Sequence, residues 1–136
     1  MKKLFVLCSL LFVTKAIFAQ STAFKQNNIW LEKQLNALGK DKDDNAGFRF
    51  RDCEASLEIK DKDSGFNMSM GTSLDGIKTV LYTKEKDGYT LKLLPDKFEK
   101  NNNSYSFSLK TDDEKLMQEI KRRLEANIAE CKKLKK

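Results

Sequence analysis

Two cysteines in the body of the chain, a pair of strand arginines, a single tryptophan and a run of alternating carboxylates are the residues whose types and spacing could do chemistry. Histidine is absent, which removes the commonest general base and rules out Ser-His-Asp and Cys-His arrangements. Paired carboxylates can work without histidine, but here they stand beside lysines in turn-like segments, the pattern of a solvated surface. Asp41, Asp43 and Asn45 alternate as in a calcium loop, yet the sixth position is Ala46 instead of glycine and the twelfth is Asp52 instead of glutamate. The shorter segment Asp61-Lys62-Asp63-Ser64-Gly65 reads as a turn. Neither a Gly-rich phosphate loop nor a Gly-x-Ser-x-Gly motif occurs. The expectation is therefore no catalytic residue, no cofactor and no metal.

Cysteine carries the strongest covalent signal. Cys8 lies within an N-terminal segment that reads as a leader: Met1-Lys2-Lys3, an apolar run from Leu4 to Val13, and Ala16-Ile17-Phe18-Ala19 before Gln20. A basic end, a short apolar run and a small residue at the cut make a secretory signal peptide. The run is well short of the roughly 20 residues that span a bilayer. Residues 1–19 are thus expected to be removed and 20–136 to form one domain, with no transmembrane segment. The leader holds Lys2, Lys3 and Lys15 and no acid, so the net charge of +6 falls to +3 without it. A mild, mixed balance of that kind gives no expectation of nucleic-acid binding. Cys53 and Cys131 remain, and an even count in an exported chain reads as a disulfide, Cys53–Cys131, with buried free thiols as the alternative. No Cys-x-x-Cys motif is present, and two cysteines without histidine cannot complete a zinc shell.

The elements that must position these residues follow from hydrophobic period. Leu31, Leu35 and Leu38, with Phe24 one heptad earlier, predict a helix over 28–39, ended by Gly39. Trp30 on that helix reads as core, its other reading being a platform for sugar or peptide. The polar segment Lys40–Gly47 is a loop. Phe48 and Phe50 alternate with Arg49 and Arg51, then Cys53, Ala55, Leu57 and Ile59 alternate in the opposite phase. That shift predicts a bulge or break near Arg51-Asp52. Further strands are expected at Phe66–Met70, Ile77–Thr83, Tyr89–Leu94 and Tyr105–Leu109, with Asp87-Gly88 turning a hairpin. Residues 98–104 read as a polar loop. Thr111-Asp112-Asp113-Glu114 fits a capping box for a final helix whose buried stripe is Met117, Ile120, Leu124, Ile128 and Cys131. The predicted fold is α+β: an antiparallel sheet of about five strands flanked by an N-terminal and a long C-terminal helix in a two-layer sandwich. A small pleckstrin-homology-like rolled barrel is the alternative.

The pattern Phe48-x-Phe50-x-x-Cys53-x-x-x-Leu57-x-Ile59, the turn Ser73–Ile77 and the terminal Asn127-Ile128-Ala129-Glu130-Cys131 resemble small exported bacterial proteins that carry no assigned activity. The resemblance spans most of the chain after the leader. It implies the same architecture and the same disulfide, and no chemistry.

The function expected is that of an exported, periplasmic or secreted, non-catalytic binding or interaction domain. The alternative is an envelope-associated accessory protein or inhibitor presenting Lys40–Gly47 and Lys97–Ser104 to a protein partner. Arg49 and Arg51 on one strand face, and Lys121, Arg122, Arg123 and the closing Lys132, Lys133, Lys135 and Lys136, are the groups that an anionic envelope component would meet.

Overall fold

The computed structural model describes residues 22–39, 46–60, 63–65, 67–97 and 104–135. The leader, most of the 40–47 loop with its calcium-like carboxylates, Asp61, Lys62, Phe66, loop residues 98–103 and Lys136 lie outside the described residues.

Helix α1 covers 22–38 and so begins earlier than the apolar stripe predicts. The added turns are polar, and partners on the far side of the chain hold them. Asn27 Nδ2 donates to Asn127 Oδ1 at 3.1 Å, and Asn27 Oδ1 accepts from Arg123 Nη1 at 2.9 Å. Leu31 and Leu35 are buried, while Phe24, Trp30 and Leu38 pack half-buried against the same core. Gly39 closes the helix, its N–H donating to Leu35 C=O at 2.9 Å, and then bridges antiparallel to Leu109.

Strands β1 (Ala46–Arg51), β2 (Glu54–Lys60) and β3 (Asn67–Ser73) form one antiparallel meander; β4 (Ile77–Glu85), β5 (Gly88–Pro95) and β6 (Tyr105–Leu109) form another. Among the described residues the chain is α+β with two helices and two three-stranded sheets. The expectation of about five strands in one sheet is corrected at two points. Residues 48–59, readable as one long strand, are two strands: Arg51 pairs with Glu54 across the two-residue turn Asp52-Cys53. Asp52 sits at φ 49°, a left-handed conformation that aspartate tolerates better than most residues. The phase shift in the apolar pattern is that turn. It puts Phe48 opposite Leu57 and Phe50 opposite Ala55, so both sets share one face. The second point is a single 3-10 turn, Leu74–Gly76, which redirects the chain from the first sheet into the second. Leu74 is wholly buried, and its N–H donates to Cys53 C=O at 2.8 Å. Among the described residues no ladder joins the two sheets.

Helix α2 (Glu114–Leu134) closes the core with Met117, Ile120, Leu124, Ile128 and Cys131, as its spacing predicts, and also buries Asn127. Its cap differs from the expected box. Asp113 is the N-cap, accepting from Leu116 N–H at 3.1 Å, while Thr111 Oγ1 accepts from Asp113 N–H at 3.1 Å. Aspartate caps as well as threonine and carries a charge that the helix N-terminus favours. Apolar faces of both sheets and both helices meet in one cluster, with Ile77, Val80, Leu91, Leu93 and Leu109 buried beside Leu124. The disulfide Cys53–Cys131 ties the β1–β2 turn to α2, with Cα atoms 5.6 Å apart.

Two predictions follow from this packing. Gly88, at φ 143°, lies where a Cβ would stand 2.1 Å from the Leu109 carbonyl oxygen. Gly88→Ala should therefore lower stability by about 3 kcal/mol, the upper end for forced backbone strain, read from urea unfolding; an unchanged midpoint refutes the close approach. Replacing both Cys53 and Cys131 by alanine opens a loop of 78 residues and should cost about 2–5 kcal/mol in the same assay.

Candidate functional site

Most of the sites singled out by residue type are already engaged by the fold. Arg49 Nε lies 3.0 Å from Glu58 Oε2 on the outer face of the first sheet. Arg51 is exposed at a polar recess of about 430 Å³ between residues 51–54 and 71–73, beside the disulfide. The α2 cations are paired in turn. Arg122 grips Glu119 with two bonds, 2.8 Å from Nε and 2.6 Å from Nη2, and Arg123 Nε meets the same carboxylate at 2.7 Å. Lys121 pairs with Glu125, Lys132 with Asp96, Lys133 with Glu130 and Lys135 with Asp75, at 3.3, 3.3, 3.3 and 2.6 Å. These surface pairs add little stability each, but they turn a cationic helix into a mixed one. Trp30 carries the Arg123 guanidinium over its ring, 4.4 Å from the centroid, so one stacking face is filled from within.

The ionisable groups with shifted affinities belong to these pairs. Hydrogen bonds from Arg122 and then Arg123 lower the Glu119 pKa from 4.5 to about 2. Lys135, with help from the Ser73 hydroxyl, lowers that of Asp75. Among the described residues no group of three or more His, Cys, Asp or Glu side chains is placed to hold a metal.

What remains open is the inner face of the first sheet where it runs out at β3. Through the register, Phe48, Phe50, Ala55, Leu57, Met70 and Thr72 share that face. Its β1 side is covered: Phe48 meets Phe107 edge-on with centroids 5.0 Å apart, and Phe50 is buried. Between the sheets, Leu35, Phe48, Leu91, Phe107 and Leu124 line an apolar slot with a void of about 30 Å³. That is room for little more than a water, far below the several hundred Å³ of a small-molecule chamber. Met70, Thr72 and Tyr105 form its rim. Met68 and Met70, on adjacent same-face positions of β3, are 37% and 48% exposed. Tyr105 reaches across, its hydroxyl donating to Gly71 C=O at 3.1 Å. Leu81 is as exposed, at 43%, but stands on the polar face of the second sheet with Thr83 and Lys92. The alternation of Met68 and Met70 identifies the strand without revealing that its apolar face overhangs; the one available signal is that residues 67–73 carry no charge in a chain that is 34% charged. No protein-family model matches the chain, and no curated protein or solved structure is significantly similar to it.

The Glu119 cluster makes a pH prediction. Its folded-state pKa is depressed, so its contribution is present above about 4.5 and is lost as pH falls through about 2. The melting temperature should fall across that window, and Glu119→Gln should flatten the fall. Equal acid limbs in the two proteins would show that the two arginines do not hold this carboxylate.

Proposed function

We propose that the protein is an exported, non-catalytic binding domain whose recognition surface is the overhanging rim of the first sheet at β3. The observation that carries this reading is the exposure of Met68 and Met70 on neighbouring same-face positions, Met70 also lining the apolar slot. Methionine is unbranched and polarizable, and it adapts to irregular apolar partners. Adjacent exposed apolar side chains mark an interaction surface more than single ones scattered over a polar face do. Export is supported by the leader pattern and by a disulfide, which persists in oxidising compartments. The non-catalytic reading rests on the absence of histidine and on carboxylates whose pKa values are lowered by cations, the reverse of a poised acid. The pairing of the α2 cations favours an uncharged protein surface over an anionic envelope component as partner.

A photo-crosslinking side chain placed at Met70 and, separately, at Leu81 in the full chain expressed in a bacterium tests both parts. The purified product should begin near Gln20 and take up no alkylating agent without reductant, by intact mass. Adducts should form from position 70 and not from position 81. Equal labelling from both positions, or none from position 70, would remove the rim as the recognition surface; an unprocessed chain with two free thiols would remove export.

A further inference from the structure

The backbone at the same rim has a direction, and the ladder sets it. Leu74 N–H donates to Cys53 C=O at 2.8 Å, which continues the β2–β3 ladder one pair beyond Glu54↔Ser73. Backbone groups alternate sides along a strand, so residues 70, 72 and 74 bond toward β2 and residues 69, 71 and 73 present theirs outward. Gly71 gives an independent check, since its carbonyl accepts from Tyr105 across the gap and so faces away from β2.

The other edges are guarded, as edge strands in native proteins generally are. By the same phase the outward groups of β1 belong to Phe48 and Phe50. Asn36 takes both those of Phe48, accepting from its N–H at 2.6 Å and donating to its C=O at 3.0 Å, and Glu32 Oε2 accepts from Phe50 N–H at 3.1 Å. At β6, Gly39 bridges Leu109, and Lys110 N–H donates to Leu38 C=O at 2.7 Å. β4 carries Lys78, Lys84 and Glu85, all exposed. Among the described residues β3 has one such contact, the Tyr105 hydroxyl on Gly71 C=O, and carries no charged side chain. It runs seven residues without charge or proline, and Ser69, Met70, Gly71 and Ser73 are exposed.

We infer that β3 is a strand-addition edge whose occupant is β3 of a second copy of this chain, paired antiparallel about a two-fold axis at Met70. The inference rests on the rim being the recognition surface. In that pairing Ser69 of each copy faces Gly71 of the other and exchanges outward N–H and C=O groups, the Gly71 carbonyl accepting from Ser69 on its second lone pair beside the Tyr105 hydroxyl. Met70 meets Met70 at the axis, and Met68 meets Thr72. Those side chains lie on the same face in both copies, so the exposed methionine surface is buried against itself. An uncharged strand meets its own copy without repulsion, whereas β4 against itself would bring lysines together. The two three-stranded sheets become one of six strands. A single edge pairing is smaller than a standard interface, so a reversible dimer is expected.

Sedimentation of the oxidised, exported protein tests this. The weight-average mass should climb from the monomer toward twice that value between about 1 and about 300 µM, the range for a small interface. Ser69→Pro removes an outward donor and leaves the β2 ladder intact, since proline is tolerated where the N–H faces solvent. Met70→Lys sets like charges at the axis. Both should stay monomeric at the highest concentration with unchanged circular dichroism, while Leu81→Lys should still dimerise. A wild type that is monomeric throughout, or a dimer that survives Met70→Lys, overturns the inference. Should the wild type be monomeric while position 70 still crosslinks to a different protein, the second copy is overturned and the rim stands. With no adduct from position 70, both fall.

Discussion

The two-residue turn Asp52-Cys53 is fastened to three separate parts of the chain. Cys53 Sγ is bonded to Cys131 on α2, Asp52 C=O accepts from Asn28 Nδ2 on α1 at 3.2 Å, and Cys53 C=O accepts from Leu74 N–H at the passage between the sheets. A hairpin of two strands is marginal in water, and the first sheet would have little reason to keep its angle to the rest without this anchor. Cys53 follows the one residue with a left-handed backbone outside glycine among the described residues, so the crosslink also holds that conformation. The inner faces of β1 and β2, and hence the slot and its rim, take their orientation from this turn.

Covalent and polar restraints lie one helical turn apart on α2. Four residues before Cys131, the fully buried Asn127 donates from Nδ2 to Asn28 Oδ1 at 2.7 Å while its Oδ1 accepts from Asn27. Asn28 passes the link on to Asp52. Among the described residues no buried side-chain polar atom lacks a partner, and a satisfied network of this kind fixes register where apolar contacts alone would allow sliding. Arg123 ends it, bonded to Asn27 and Glu119 and stacked on Trp30. Trp30 and the α2 arginines, two features that by type alone invite a ligand, are thereby joined in one helix–helix contact.

Residues whose role is set by local period were legible in the sequence. The α2 stripe, the hairpin at Asp87-Gly88 and the break at Arg51-Asp52 all follow from alternation or turn chemistry, and the disulfide follows from cysteine count and phase. Residues whose role depends on a distant partner were not. Nothing near Asn27 and Asn28 announces that their turns are helical, because the bonds that order them come from residues about a hundred positions away. Thr111 and Asp113 both satisfy capping rules, and only the entry angle of the chain selects between them. The division into two sheets depends on Leu74 being drawn into the core, a tertiary event that a strand pattern does not encode. Met68 and Met70 look like core for the same reason: period assigns a face to a side chain but not the element that covers it.

The edge of β3 extends that distinction to the backbone. Asn36 occupies both hydrogen-bonding groups of Phe48 as a neighbouring strand would, and Glu32 takes the next free N–H. Two polar side chains on a helix that otherwise faces the core thus close one side of the first sheet. Among the described residues, the opposite side of that sheet receives only the Tyr105 hydroxyl. A chain rich in lysine and glutamate has the means to guard an edge, and β4 shows it doing so with residues at both ends. Serine, glycine and threonine at 69–73 add neither charge nor bulk, and any side chain at Gly71 would crowd Glu54 Oε1, 2.8 Å from where its Cβ would lie. Strand addition needs outward backbone groups, a neutral surface and a neighbouring apolar contact, and at β3 all three coincide within five residues of one strand.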